Sequence, residues 1–199
     1  MNVSIIGATG YSGIELIRLL ENHPQFQIAS LHSSSMAGHY IHEENTHLLH
    51  ITQILKEIDP FQIAQESSIV FLATPSGISA KLAPQLAKAG LTVIDLSGDL
   101  RLKNPEDYEN WYKKDAAPLE TLEQAVYGLS EWNAKNIKSA KLIANPGCFP
   151  TATLLGLAPV CEQQWCDGKS IIIDAKSGVS GAGRTPLSST MFSEVNENF

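Results

Sequence analysis

Cys148 lies in the segment Ile143-Ala144-Asn145-Pro146-Gly147-Cys148-Phe149-Pro150-Thr151, after an apolar run and an Asn-Pro-Gly turn. Proline suits a first helical position, where its missing N–H would have had no partner. The spacing therefore predicts a helix starting at Pro150 and running through residues 150–160. A thiol beside a helix N-terminus meets free N–H groups and the positive end of the dipole, which favours its thiolate. A thiolate is the form that attacks acyl carbons. Free cysteine also serves as a small buried hydrophobe, so nucleophile and packing residue are both open on this segment alone.

A second chemistry-bearing stretch is Gly7-Ala8-Thr9-Gly10-Tyr11-Ser12-Gly13. It follows the apolar run Asn2-Val3-Ser4-Ile5-Ile6 and precedes helical periodicity from Ile14 to Leu20. Strand, glycine turn and helix form the context of a dinucleotide fingerprint. Gly7 then permits the tight turn, Gly10 a close approach to pyrophosphate, and Gly13 close helix–strand packing. Phosphates would meet the N–H groups of the helix start.

The next strand, Phe26-Gln27-Ile28-Ala29-Ser30-Leu31, runs into His32-Ser33-Ser34-Ser35, and no acid occurs from Phe26 until Glu43. A ribose 2′-hydroxyl is usually met by an acid at this point, and a 2′-phosphate disfavours one. Ser33, Ser34, Ser35 and His32 can donate to a phosphate, so the pattern favours NADP over NAD. His39, His42, His47 and His50, with Glu43 and Glu44, invite a metal reading. Zinc sites commonly add cysteine to fixed, convergent spacings, and this segment has neither, so it reads as a solvated polar loop without a metal. Cys161 and Cys166 have no matching pair elsewhere and read as packing residues.

Taken together, these stretches resemble N-acetyl-gamma-glutamyl-phosphate reductase, a family of arginine biosynthesis. The matching residues are Gly7 to Leu16, Phe71-Leu72-Ala73-Thr74-Pro75-Ser76-Gly77, Asp95-Leu96-Ser97-Gly98-Asp99-Leu100-Arg101, Tyr127-Gly128-Leu129-Ser130-Glu131, Asn145 to Thr151, and Ser177-Gly178-Val179-Ser180-Gly181-Ala182-Gly183-Arg184. Aspartate-semialdehyde dehydrogenase is similar in design and more distant.

The resemblance implies NADPH-dependent reductive dephosphorylation of N-acetyl-gamma-glutamyl phosphate to the semialdehyde through a thioester on Cys148. It implies cofactor contacts at Gly7, Thr9, Gly10, Tyr11, Ser12, Gly13, Ser33, Ser34, Ser35, Ser76, Gly77, Ser177 and Gly178. Substrate contacts fall to Arg101, Asn145, Ser180, Gly181 and Arg184, with Lys176 a further cation among the same loops. It implies a cytoplasmic homo-oligomer acting on a small acyl phosphate. The same chemistry on an aspartyl or aminoadipyl phosphate, and a non-catalytic NADP(H)-binding protein, stay open as alternatives. The family's catalytic histidine follows the stretch that matches residues 192–199. No histidine follows His50 here, so the expectation is a reductase chain incomplete at its C-terminus, prone to associate or to dissolve poorly.

Composition bounds the same reading. The chain has 199 residues, 43% of them hydrophobic, and a net charge of −7. An acidic balance argues against a nucleic-acid partner. No apolar run approaches the ~20 residues that span a bilayer. The start leaves no room for a signal peptide, and three cysteines without a framework suggest a reducing compartment.

The elements that must position these residues alternate between strand and helix. Further strands are expected at Ser68 to Ala73, Leu91 to Leu96 and Lys141 to Ala144, with a helix from Ile78 to Ala89. Residues 39–61 read as irregular beyond Ile51 to Leu55, residues 104–118 as a surface excursion, and Ser170 to Ala175 as a strand. The fold expected is α/β, a Rossmann-type parallel sheet with helices on both faces over residues 1–149. A second α+β substrate and dimerisation domain begins at residues 150–199. Ligands in such sheets lie beyond the carboxyl ends of the strands.

Overall fold

The computed structural model describes residues 1–43, 45–166 and 168–195, so Glu44 of the histidine-bearing segment and residues 196–199 lie outside the described residues. The chain forms two compact units that divide after Pro146.

In the first unit, six strands make one sheet: β1 (Asn2–Ile6), β2 (Gln27–His32), β3 (Ile69–Leu72), β4 (Thr92–Asp95), β5 (Ala125–Tyr127) and β6 (Leu142–Ala144). Their order is β2-β1-β3-β4-β6-β5 and every pairing is parallel. The central strands β3 (IVFL) and β6 (LIA) are continuous apolar runs, as parallel strands covered on both faces are. Val3 and Ile5 of β1 pack with Ile17 and Leu20 of α1 (Tyr11–Leu20). Ile6 packs on the opposite face with Ile63 of α2 (Pro60–Glu66) and Ala80, Ala83 and Leu86 of α3 (Ser79–Lys88). Side chains alternate across a strand, and one residue of phase separates these two cores.

Ser4 points to the Ile6 side of the sheet yet is polar and fully buried. Its hydroxyl lies 2.7 Å from Ser30 and 2.6 Å from Ser67, and Ser67 also donates to the Ile63 carbonyl. A buried hydroxyl without such partners would cost about 1–3 kcal/mol.

Residues 39–61 depart from the expectation of an irregular polar loop. Ile41, Leu48 and Leu55 are buried in the core beside α1, and short 3-10 turns at Ile41–Glu43 and Thr46–Leu48 carry the first two of them. Seven-residue spacings between single apolar residues in a polar segment gave no recognisable period. Asp59 then caps α2 by accepting from the N–H groups of Phe61 and Gln62, with Pro60 in its first turn. That is a start signal legible in the sequence.

Residues 104–118 hold α4 (Pro105–Tyr112), capped by Asn104, rather than a surface excursion. Tyr108 of this helix is fully buried. Two further helices, α5 (Leu119–Gln124) and α6 (Ser130–Ile137), flank β5.

The second unit consists of α7 (Cys148–Glu162) and 3-10 turns at Val179–Ala182 and Ser188–Thr190. The strand expected at Ser170 to Ala175 is absent: the run is irregular, and Ile172 is 93% exposed. Its β-branched residues fit a strand, but a strand needs a partner, and none pairs with it among the described residues.

Candidate active site

In the first unit, the carboxyl ends of the strands carry the predicted loops. Gly7 to Gly13 follow β1, Ser33 to Ser35 follow β2, Ser76 and Gly77 follow β3, Arg101 follows β4 and Asn145 follows β6. The strand order reverses between β1 and β3, the switch point at which such sheets bind ligands.

The three glycines of the β1 loop are needed for three different reasons. Gly7 has φ +85°, and a Cβ there would stand 2.4 Å from the Ala73 carbonyl oxygen, so neither conformation nor space admits a side chain. Gly13 is excluded by packing, since a Cβ would lie 2.3 Å from the Gly7 oxygen. Gly10 is different. Its φ is −77°, and a Cβ would meet only the Gly7 and Ala73 oxygens at 3.6 and 4.0 Å, ordinary contacts.

The protein itself therefore leaves a cradle at Gly10 that a side chain would fill. Among the described residues no side-chain cap is made at Gly10, the N-cap of α1, whose N-terminal residue follows directly. Uncapped N–H groups at a helix start favour an anion. A dinucleotide pyrophosphate fits this donor set. The loop is held from below by the His32 carbonyl, which accepts from the N–H groups of Gly7 (3.0 Å) and Ala8 (3.2 Å). Tyr11 and Ser12 are exposed and Thr9 half-buried at its rim.

After β2, Ser34 and Ser35 are exposed, whereas Ser33 is buried with its hydroxyl 3.4 Å from that of Ser35. His32 does not join them, contrary to the sequence reading. It is 2% exposed, and its ring nitrogens meet the Glu57 carbonyl at 2.7 Å and the Ser30 hydroxyl at 2.9 Å. Strand alternation places His32 beside Ser30 and directs it inward. Burial pushes its pKa below the ordinary value, with the Lys56 charge acting in the same sense and the Glu57 carbonyl and the Glu66 carboxylate opposing.

The loops after β3 and β4 are tied together by residues that sequence reasoning did not single out. The buried Asp99 carboxylate accepts from the N–H of Gly77 (2.9 and 2.8 Å), the N–H of Ala80 (2.8 Å) and the hydroxyl of Tyr108 (2.7 Å). An acid at the start of α3 also suits the helix dipole. Burial and Asp99 together hold the Tyr108 phenol well above its usual range. Gly77 thus gives its N–H to Asp99, and at φ +92° it turns the loop. Ser76 beside it is half-buried.

Asp95 accepts from the backbone N–H and the hydroxyl of Ser97, and burial raises its pKa. Serine two residues after aspartate was a readable turn signal. Arg101 spends two donors on the scaffold, Nε to the Asn145 carbonyl and Nη2 to the Leu96 carbonyl, both at 2.8 Å. It braces the β4 and β6 loops, and Asn145 in turn donates its N–H to the Asp95 carbonyl.

In the second unit, Cys148 is exposed and is itself the first residue of α7, with Gly147 as N-cap. The start expected at Pro150 falls two residues late. Proline is tolerated anywhere in a first turn whose N–H groups have no intrahelical acceptor. The helical ladder begins with the Thr151 N–H to the Gly147 carbonyl at 2.9 Å. The N–H groups of Cys148 and Phe149 thus precede the ladder, and Pro150 has none.

Ser177, Gly178, Ser180, Gly181 and Arg184 all lie in the exposed segment around the turn Val179–Ala182. Ser177 donates to the Gly178 carbonyl, and a Cβ on Gly181 would stand 2.5 Å from the Ser177 hydroxyl oxygen. Lys176 pairs with Asp174 at 2.5 Å. Among the described residues no group of three or more His, Cys, Asp or Glu is placed to hold a metal ion, and no helix is long and apolar enough to cross a membrane.

Comparison with known proteins now has a geometry to refer to. Residues 2–140 match the family model for the semialdehyde dehydrogenase NAD binding domain, and residues 148–199 match that for the semialdehyde dehydrogenase dimerisation domain. N-acetyl-gamma-glutamyl-phosphate reductase of Bacillus cytotoxicus is 58% identical over 199 residues, covering all of this chain and 58% of the relative. The reductase of Halalkalibacterium halodurans is 56% identical over 200 residues, again with 58% of the relative covered. The chain therefore spans somewhat over half the length of the curated relatives it matches.

Among solved structures, aspartate semialdehyde dehydrogenase with NADP from Candida albicans has a TM-score of 0.57 at 19% identity, over 81% of this chain and 47% of that one. Aspartate semialdehyde dehydrogenase II from Vibrio cholerae, complexed with ASA, has a TM-score of 0.54 at 22% identity, over 81% and 46%. These likenesses support the fold. Since one family model covers most of the chain and the second takes up where the first unit ends, the chain belongs to the semialdehyde dehydrogenase family.

Proposed function

We propose that this chain acts in the NADPH-dependent reductive dephosphorylation of N-acetyl-gamma-glutamyl phosphate to N-acetyl-glutamate semialdehyde, a cytoplasmic step of arginine biosynthesis. The names of its close relatives support that substrate. The observation that carries the chemistry is Cys148, an exposed thiol at the first residue of a helix whose ladder leaves the Cys148 and Phe149 N–H groups unused. The Cys148 thiolate attacks the acyl carbon, the acyl–phosphate bond breaks, and phosphate leaves with its electron pair. An acyl thioester remains on Sγ. Either N–H, aimed at the developing oxyanion, would contribute about 3–4 kcal/mol.

The cofactor site is the cradle at Gly10 together with the uncapped start of α1. NADPH, when bound there, supplies the hydride that reduces an acyl thioester to an aldehyde. Ser34 and Ser35 stand exposed after β2, and the sequence carries no acid from Phe26 until Glu43, which suits a 2′-phosphate. NADP in a solved relative supports the same choice. Residues 1–149 would hold the cofactor, and residues 150–199 would begin the substrate and dimerisation region. Ser177, Gly178, Ser180, Gly181 and Arg184 would serve the ligands there. A homo-oligomer is supported by the dimerisation family match.

The test is coupled turnover: NADPH oxidation and phosphate release should rise together, one for one, only when N-acetyl-gamma-glutamyl phosphate is present. Cys148→Ser should abolish both while leaving NADPH binding intact. NADPH bound without either product forming would favour a non-catalytic nucleotide binder.

A further inference from the structure

Cys161 and Cys166 lie near the far end of α7 from Cys148, and their sulfurs are 3.1 Å apart. The sequence reading made them packing residues. Cys161, however, is exposed and Cys166 half-exposed, so neither contributes much to a core. Their approach is built by the backbone. The Gln164 N–H bonds the Cys161 carbonyl at 2.9 Å and the Trp165 N–H bonds the Val160 carbonyl at 3.1 Å. Gln164 takes the left-handed conformation, φ +57°, which ends the helix and folds the chain back toward its last turn. Cys166 is thereby returned to Cys161 across five residues.

We propose that Cys161 and Cys166 form a reversible dithiol–disulfide site, separate from Cys148, which small-molecule disulfides oxidise. Two exchange steps balance the reaction. One protein thiolate attacks a sulfur of a glutathione-type disulfide, forming a mixed disulfide and expelling one glutathione thiolate. The second protein thiolate attacks the first cysteine's sulfur, closing the Cys161–Cys166 bond and expelling the other. The cysteines lose two electrons and two protons, and the small disulfide becomes two thiols.

From 3.1 Å, the sulfurs need move only about 1 Å to reach the ~2.05 Å of an S–S bond, a side-chain adjustment. The two sulfurs share an S–H···S hydrogen bond that either can donate, and that contact holds the Cys161 thiol above its ordinary pKa. Cys148 cannot enter the pair. It lies thirteen residues up the same helix, roughly 20 Å away at 1.5 Å per residue. An exposed bond closing so short a loop is of the reducible kind, so its formation ties the end of α7 without becoming a permanent structural link.

The experiment treats the full chain with oxidised glutathione and maps its peptides. A Cys161–Cys166 peptide lighter by two hydrogens should appear, and neither of these thiols should then alkylate. Cys148, with neither of them in reach, should carry at most a single glutathione, and dithiothreitol should restore all three thiols. In Cys166→Ser a stable glutathione adduct should accumulate on Cys161, where the unaltered chain builds up none. Should that variant not fold, mapping the unaltered chain decides alone. Retention of both free thiols, glutathione adducts that persist on them in the unaltered chain, or bonds formed only between chains would overturn the proposal.

Discussion

Under the proposed function Gly10 is kept for a ligand, whereas Gly7 and Gly13 are kept for the fold. Gly10→Val should abolish NADPH binding in calorimetry yet lower thermal stability less than Gly13→Ala does, because its Cβ meets only ordinary contacts at 3.6 and 4.0 Å. Gly13→Ala should instead destabilise by about 1–3 kcal/mol or more, as a Cβ forced against the Gly7 carbonyl oxygen must displace backbone. The tight turn at Gly7 and the close packing at Gly13 were legible in the sequence, because strand, turn and helix are local features. It misread His32, for a side chain's direction depends on which face of the strand is already occupied by Ser30. It also passed over Asp99 and Tyr108, whose meeting joins loop and helix nine residues apart.

At the scale of elements, apolar runs bounded by glycine or proline were legible as β1, β3, β4 and β6 to within a residue or two. β5 was not, since three residues at a sheet edge carry no period of their own. The helices α2 and α4 each have a cap residue followed by proline, a signal present but overshadowed by the polar composition around it.

The buried chain of His32, Ser30, Ser4 and Ser67, which links β2 and β1 to the end of α2, makes a pH prediction. The folded-state pKa of His32 lies below its ordinary 6.5, so the unfolded chain binds the proton more readily. His32 thus contributes stability that is fully present above pH 6.5 and is lost as pH falls through the folded value. Denaturant midpoints measured from pH 7.5 downward should decline in the unaltered chain, and His32→Gln should flatten that decline. An identical slope in both would remove His32 from the account.

For the whole molecule, charge and composition suited an acidic enzyme chain, but the second unit could not be read as an architecture. Its residues are apolar without burial: Trp165 is 76% exposed and Phe192 60%. Surface of that kind seeks cover, so light scattering of the 199-residue chain should give a mass above one copy and rising with concentration. A single-copy mass at every concentration would count against self-association. The central claim concerns Cys148, and mixing the chain with N-acetyl-gamma-glutamyl phosphate without NADPH tests it most directly. Peptide mapping after an acid quench should find an N-acetylglutamyl thioester on Cys148, one phosphate released per adduct, and nothing in Cys148→Ser. Phosphate release with no adduct on Cys148, or acylation spread equally over Cys161 and Cys166, would contradict the assignment of Cys148 as the nucleophile.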